Sequence, residues 1–251
     1  MMQDQLVVVV TGAGRGIGQA LAQSYLSRTS CTVVGTIRDF TAPGVAELRA
    51  CSPGSGSKLF LVKVESSLPE DAIKAVEEMD AAGIDHIDVL ITNAGVSPPV
   101  VPLETVNLEE VASTFNVNAL GPLALYQACH SLLEKSRDAK FVSVSSAAGS
   151  ISAMERYRAY VAPAYCISKA ALNWITLSAH CGNKWLTAFA VSPGLVETDM
   201  GNKTAKYLGL EKAPYTKEYS AERIISLIDS ADRENTSGKF LNAIDGKEIP
   251  W

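Results

Sequence analysis

The sequence predicts an α/β fold, a doubly wound parallel sheet of about seven strands with helices on both faces. Three observations predict it. Short β-branched runs alternate with longer segments of helical period. The runs are apolar throughout rather than at every second residue, as a sheet covered on both faces requires. A glycine-rich turn, Thr11-Gly12-Ala13-Gly14-Arg15-Gly16-Ile17-Gly18, joins the first run to the first helical segment.

The elements follow in order. Residues 6–10, Leu-Val-Val-Val-Val, are too few to span a membrane and read as a buried first strand. The glycine turn then opens a helix at 16–28. A second strand at 32–37 runs into Arg38 and Asp39. Residues 52–57, Ser-Pro-Gly-Ser-Gly-Ser, form a surface loop and no linker, because the rhythm continues across them. A strand at 59–64, a helix at 70–82 and a strand at 87–92 come next. Helical patterns at 108–133, 165–179 and 221–230 alternate with strands at 141–144, 187–191 and 239–242. Crossovers between parallel strands are right-handed. Residues 198–218 lack a strong helical period and are expected to form a mobile lid. No internal repeat appears, so one domain is expected over 1–251.

Composition narrows the function. Hydrophobic residues make up 47% and charged ones 20% of the chain, which excludes a disordered protein. The formal charge of −5, with no basic stripe, argues against nucleic-acid or anionic-membrane partners. The five cysteines are odd in number and lack a Cys-x-x-Cys pair, and the three histidines are scattered. Neither a disulfide framework nor a metal centre is expected. No basic leader precedes the first apolar run, and a cytoplasmic location is expected.

Tyr165 and Lys169 stand four residues apart, on one face of their expected helix. A phenol titrates near pKa ~10, and a cation beside it favours the phenolate, toward the range useful for acid–base work. The glycine turn lets backbone approach a pyrophosphate and sets a helix N-terminus against it. Its spacing, Gly12-x-x-x-Gly16-x-Gly18 with no following Gly-Lys-Ser/Thr, excludes a P-loop.

These motifs stand in order with Asn93-Ala94-Gly95, Asn118-Ala119-Leu120-Gly121, Ser145-Ser146-Ala147-Ala148-Gly149 and Pro193-Gly194. The set resembles the short-chain dehydrogenase/reductase superfamily over almost the whole chain, which implies a single Rossmann-type domain. The last third, in residues 183–189, 197–201 and 245–251, is similar to norsolorinic acid ketoreductases of fungal polyketide pathways and to neighbouring carbonyl reductases. The resemblance implies a role for each matched position. Tyr165 would give a proton to a carbonyl oxygen as hydride arrives from nicotinamide. Lys169 would lower the Tyr165 pKa and bind the nicotinamide ribose. Ser146 would hydrogen-bond the substrate oxygen where charge develops, and Asn118 would hold a proton-relay water. Gly12, Arg15, Gly16, Ile17 and Gly18 would form the cofactor turn, with Asn93, Ala94 and Gly95 lining it. Pro193, Gly194, Val196 and Thr198 would meet the nicotinamide end. Ser145 and Asn116 compete with Ser146 and Asn118; the Ser-x-x-Gly and Asn-x-x-Gly registers favour the latter pair.

There are departures from the family pattern. Lys63 stands where many relatives carry Asp, which leaves Val64 to meet the adenine through its backbone. Thr92 replaces a frequent Asn. The gap between Ser146 and Tyr165 is long, and its insert 151–162, with Met154, Tyr157, Tyr160 and Val161, is expected to wall the substrate pocket. Cys166, beside Tyr165, reads as a buried structural thiol. Pro250 and Trp251 either pack near the site or anchor a plain surface.

The cofactor implied is NADP(H). Ile37 takes the place of the acid that NAD-preferring relatives use, and Arg38 and Arg15 can meet a 2′-phosphate. Asp39 competes as the ribose reader if the register slips. The expected activity is NADPH-dependent reduction of a bulky, aromatic or polyketide-derived ketone to a secondary alcohol. The alternatives are a general carbonyl or quinone reductase and, from another class, a non-catalytic NADP-sensing regulator. No Gly-x-Ser-x-Gly elbow suggests a serine hydrolase. A homodimer or homotetramer is expected, paired through helices 108–133 and 165–179.

Overall fold

The four valines of the first strand, β1 (Leu6–Thr11), explain why the strands do not alternate. Val8 and Val10 face one apolar cluster and Val7 and Val9 face another, on opposite sides of the sheet. In this computed structural model, which describes residues 5–251, the other strands are β2 (Cys31–Ile37), β3 (Lys58–Lys63), β4 (Val89–Thr92), β5 (Lys140–Val144), β6 (Thr187–Ser192) and β7 (Phe240–Asn242). They pair in the order β3-β2-β1-β4-β5-β6-β7, parallel throughout. The chain builds outward from β1 to β3, then returns to lay β4 on the other edge of β1. That reversal opens a crevice at the carboxyl ends of β1 and β4, where such sheets bind ligands.

The helices are α1 (Gly16–Leu26), α2 (Pro43–Ala50), α3 (Pro69–Ala81), α4 (Leu108–Phe115), α5 (Gly121–Leu133), α6 (Pro163–Gly182), α7 (Asp199–Tyr207) and α8 (Lys217–Ser230). Leu21 and Tyr25 of α1, Leu48 of α2 and Ile224 and Ile228 of α8 fill the first cluster. Met79 of α3 and Leu125, Cys129 and Leu133 of α5 fill the second. Helices therefore cover both faces, as the apolar strands require.

The structure departs from the sequence reading at four places. The continuous helix over 108–133 is two helices, α4 and α5, joined by a π-helical turn at Asn116–Leu120. Pro122 sits at the start of α5, where its missing N–H costs least. Residues 198–218 are not irregular: they contain α7, capped by the Thr198 hydroxyl, which accepts from Gly201 N at 3.0 Å. Residues 43–50, given no element above, form α2 with Pro43 in its first turn. The fourth strand starts at Val89 rather than residue 87, because Ile87 donates its N–H to Leu132 O instead of a neighbouring strand.

Candidate active site

The glycine turn leaves β1 through Gly12, whose φ of +69° is easy only for glycine. A Cβ on Gly18 would lie 2.4 Å from both Asn93 Nδ2 and the Gly12 carbonyl oxygen, so α1 can start this close to the sheet only without a side chain there. Arg15, the N-cap of α1, is extended; no side chain caps that end and no acid stands in its first turn. Free N–H groups at the positive end of the helix dipole suit an anionic pyrophosphate, so the turn fits a dinucleotide. Ile17 anchors the turn against the first core cluster. Thr11 Oγ1 accepts from the N–H groups of Asn93 and Ala94, both at 2.8 Å, and Asn93 Nδ2 donates back to Thr11 O at 2.9 Å. These bonds fix residues 93–95 beside the turn.

Gly95 leads to the π-helical turn, because a Cβ there would stand 3.1 Å from Asn118 Oδ1 and 3.7 Å from Lys169 Nζ. Asn118 is fully buried, whereas its competitor Asn116 is exposed. Asn118 Oδ1 accepts from Val96 N, and Nδ2 donates to Val96 O and to Ser168 Oγ, at 2.8, 2.8 and 3.0 Å. Both amide hydrogens are thus engaged within the protein, which ties Asn118 to Val96 and Ser168. Ser168 Oγ in turn donates to Tyr165 O at 2.6 Å, tying the π-turn to α6. Ser168 was not singled out from the sequence, although its place one turn after Tyr165 was visible.

Tyr165 and Lys169 share one face of α6, and Lys169 Nζ stands 5.7 Å from the Tyr165 ring centre. Lys169 donates to Val144 O at 2.9 Å. Burial pulls its ammonium down to about 8. Burial also pushes the Tyr165 phenol up to about 12, against the lowering effect of the Ser146 hydroxyl beside it. Burial of both groups works against the lowering expected from Lys169. Ser145 is buried and donates to Asn173 Oδ1 at 2.6 Å, while Asn173 Nδ2 donates to Gly149 O at 3.2 Å. Ser146 Oγ accepts from Ala148 N at 3.2 Å, which leaves its own proton to give. The geometry brings Ser146, and not Ser145, to the phenol. Asn173 carried no sequence signal, because its partners lie far away along the chain.

At the end of β2, Ile37 is buried and Arg38 is exposed. Asp39 Oδ1 accepts from Thr41 N and Thr41 Oγ1, at 2.8 and 2.6 Å. Those bonds hold its carboxyl below the usual range and turn it onto its own loop. Lys63 lies in register with Ile37. Val64 donates its N–H to Ile37 O at 2.9 Å, so only its carbonyl and side chain remain for a ligand, which narrows the backbone role expected of it.

Beyond β6, Pro193 O accepts from Ser220 Oγ at 2.8 Å, and Gly194 turns with φ +84° against Ile244. Val196 bridges to Tyr215, and Glu197 N donates to Tyr215 O at 2.7 Å. The Thr198 methyl lies 3.4 Å from where a Gly16 Cβ would be, which returns the chain to the glycine turn. Arg15 Nη1 and Asp199 Oδ2 are 3.7 Å apart, both largely exposed, a pair that solvent screens. A cavity of about 190 Å³ lies elsewhere, at the strand starts, lined by Leu6, Tyr25, Asp88 and Lys140 among others, and shares none of these residues. Among the described residues no cluster of His, Cys, Asp or Glu could hold a metal ion.

Residues 6–208 match the short chain dehydrogenase family. A short-chain dehydrogenase of Neurospora crassa is 46% identical, the match covering 99% of this chain and 98% of that protein. The norsolorinic acid ketoreductase of Aspergillus parasiticus is 37% identical, over 99% of this chain and 92% of its own. Among solved structures, the NADPH-bound carbonyl reductase from chicken fatty liver superposes with a TM-score of 0.86 at 27% identity, covering 99% of this chain and 96% of its own.

Proposed function

The chain belongs to the short-chain dehydrogenase family of oxidoreductases, and from that premise we propose an NADPH-dependent ketoreductase that converts a bulky, aromatic or polyketide-derived ketone to a secondary alcohol. The observation that carries the reading is the meeting of Ser146, Tyr165 and Lys169 beside an uncapped helix N-terminus at the carboxyl ends of the strands. With the dinucleotide's pyrophosphate held at the turn, its nicotinamide would supply the hydride. Ser146 donates a hydrogen bond to the ketone oxygen, where negative charge develops. Tyr165, held protonated by burial, passes its phenolic proton to that oxygen. Lys169, pulled to about 8, keeps its charge at neutral pH and supports the phenolate left behind. Asn118 and Ser168 hold α6 in register with the π-turn.

Support for NADPH comes from the end of β2. Ile37 offers no acid, Asp39 is engaged by Thr41, and Arg38 is free to present a planar cation to a 2′-phosphate. Support for a large substrate comes from the norsolorinic acid ketoreductase relatives and from Ile151, Met154 and Tyr160, exposed apolar side chains on the segment between Ser146 and Tyr165. The likeness to a carbonyl reductase favours a second reading, a broad reductase of small carbonyls and quinones.

The same proposal includes a second copy of the chain as partner. Leu108 of α4 is 80% exposed and Trp174 of α6 is 70% exposed, and these two helices pack together. Light scattering at micromolar concentration should give at least twice the chain mass, and a monomer would remove this part of the proposal. Free cysteines support the expected cytoplasmic setting, and among the described residues no helix is long and apolar enough to cross a membrane.

Cofactor oxidation by the purified protein, measured against polycyclic aromatic ketones, small diketones and quinones, tests the activity. Turnover fastest on the polycyclic ketones supports the proposal. Fastest turnover on small carbonyls selects the second reading. Tight NADPH binding with no turnover on any of them would leave the non-catalytic regulator.

A further inference from the structure

The segment between the two proton-handling groups is held from the far end of the chain. After β7 the chain reverses: Asn242 N donates to Lys247 O at 2.8 Å, Ile249 N donates to Phe240 O at 2.7 Å, and Leu241 bridges antiparallel to Glu248. The reversal carries residues 249–251 beneath the stretch that follows Ser146. Ser150 Oγ donates to Pro250 O. Ser152 donates twice to the Trp251 main-chain oxygen, from its N–H at 3.2 Å and from Oγ at 2.6 Å. The Trp251 ring stacks on buried Phe240, with centres 5.6 Å apart and planes 22° from parallel. Ala147 and Tyr157 pack on the same small cluster of Ala190, Phe240 and Ile249. Residues 150 and 152 are therefore bonded to 250 and 251, and residues 147 and 157 pack on the same cluster as Trp251.

What this fixes is an apolar surface. Arg158 adopts φ +52°, a left-handed turn that folds buried Ala159 inward, and Ala159 N donates to Met154 O at 2.9 Å. Three of the segment's large apolar side chains, Ile151, Met154 and Tyr160, remain exposed, Ile151 by 68%. Chain continuity keeps them near the site, since Ser146 precedes the segment and Tyr165 follows it. Large apolar groups exposed on a short, tightly bonded loop suit a wall for an apolar ligand better than a solvated surface.

We propose that Trp251 is a positioning residue: stacked on Phe240 and bonded to Ser152, it sets the wall formed by 150–162 and thereby the preference for large aromatic ketones over small ones. The inference rests on the ketoreductase reading and adds to it the device that sets substrate size. As a positioning residue Trp251 would act through the 150–162 segment rather than on the cofactor or the reacting atoms. Its loss acts on how well a large ring system is held, and displacing a binding wall typically changes discrimination by about tenfold or more.

The test compares kcat/KM of wild type, Trp251→Ala and Trp251→Phe on a tricyclic aromatic ketone and on a small diketone, with NADPH affinity measured alongside. In Trp251→Ala the tricyclic:diketone ratio should fall about tenfold, mainly through KM of the tricyclic ketone, with NADPH affinity unchanged. Trp251→Phe, which keeps an aromatic ring over Phe240, should restore most of the ratio. A merely structural role would lower both substrates together, so an unchanged ratio overturns the proposal. Should Trp251→Ala not fold, Ser152→Ala removes one bond from the same clamp, and there the ratio must still fall or the proposal fails. Hydrogen exchange of 150–162 is read in the same variants and needs no turnover. If wild type reduces no ketone, the ketoreductase reading fails, while faster exchange in the variants still supports the clamp and unchanged exchange refutes it.

Discussion

At the scale of single residues, the Tyr165 hydroxyl is the atom on which the proposed chemistry depends. Tyr165→Phe removes only that atom, so turnover should drop about 10²–10⁴-fold with NADPH binding intact. A variant keeping more than about a tenth of the wild-type rate would contradict the assignment. Cofactor choice is also a residue-scale matter. The double change Ile37→Asp and Arg38→Ala adds repulsion and removes attraction at a 2′-phosphate, and the NADPH:NADH ratio of kcat/KM should swing toward NADH. A wild type equally efficient on NADH would point instead to Asp39, despite its two bonds to Thr41. Residues that work within one motif were legible in the sequence, because Tyr165 and Lys169 need only a helix, and Gly12 and Gly18 only a turn. Ser168 and Asn173 were not. Their partners, Asn118 and Ser145, lie 50 and 28 positions away, and nothing local marks them.

Elements show a similar division. The strands were legible because runs such as Val7–Val10 are buried on both faces, and apolar runs of that length leave few alternatives. The helix α7 was hidden because Asp-Met-Gly-Asn-Lys-Thr-Ala-Lys-Tyr is short and mostly polar and buries a single residue, Ala205. It is held instead by the Thr198 cap and by Asn202 Oδ1, which accepts from Ala213 N at 3.0 Å. The break at Asn116–Leu120 had a signal in Gly121-Pro122: a Cβ on Gly121 would lie 2.5 Å from Ser66 O, and Pro122 lacks the N–H of a helix interior. An element with so little buried apolar surface is the one to order on ligand binding. NADPH should slow hydrogen exchange across 198–218 more than across α5, whose Leu125, Cys129 and Leu133 lie in the core. Equal protection with and without NADPH would exclude closure of this segment.

For the molecule as a whole, buried titratable groups set the response to alkali. Burial pushes the thiols of Cys31, Cys129 and Cys166 up to about 11, 12 and 11 from 9.0, and Tyr165 up to about 12 from 10.0. Each keeps its proton in the folded state where the unfolded chain has lost it. Their stabilising contribution is whole below pH 9 and is lost as pH rises through 11 to 12. Lys169, lowered to about 8 from 10.5, works in the opposite sense between those values. With the phenols of Tyr25 and Tyr126 also raised by burial, three thiols and three phenols against one ammonium give a net fall, so Tm should drop between pH 9 and 11, and Cys129→Ala should make the drop shallower. A Tm that holds level across that range would show these groups to be accessible in the folded protein.

The alternation of the β1 valines has a consequence for how this molecule comes apart. Val8 and Val10 belong to one cluster and Val7 and Val9 to the other, so a single six-residue strand is the common wall of two cores. Stripping the helices from either face leaves that wall half uncovered and exposes the same backbone ladder to both neighbours, β2 and β4. Neither face can outlast the other. The two layers are therefore one cooperative unit, and damage to the face away from the catalytic groups is felt at those groups as loss of the whole fold rather than as a graded change in activity.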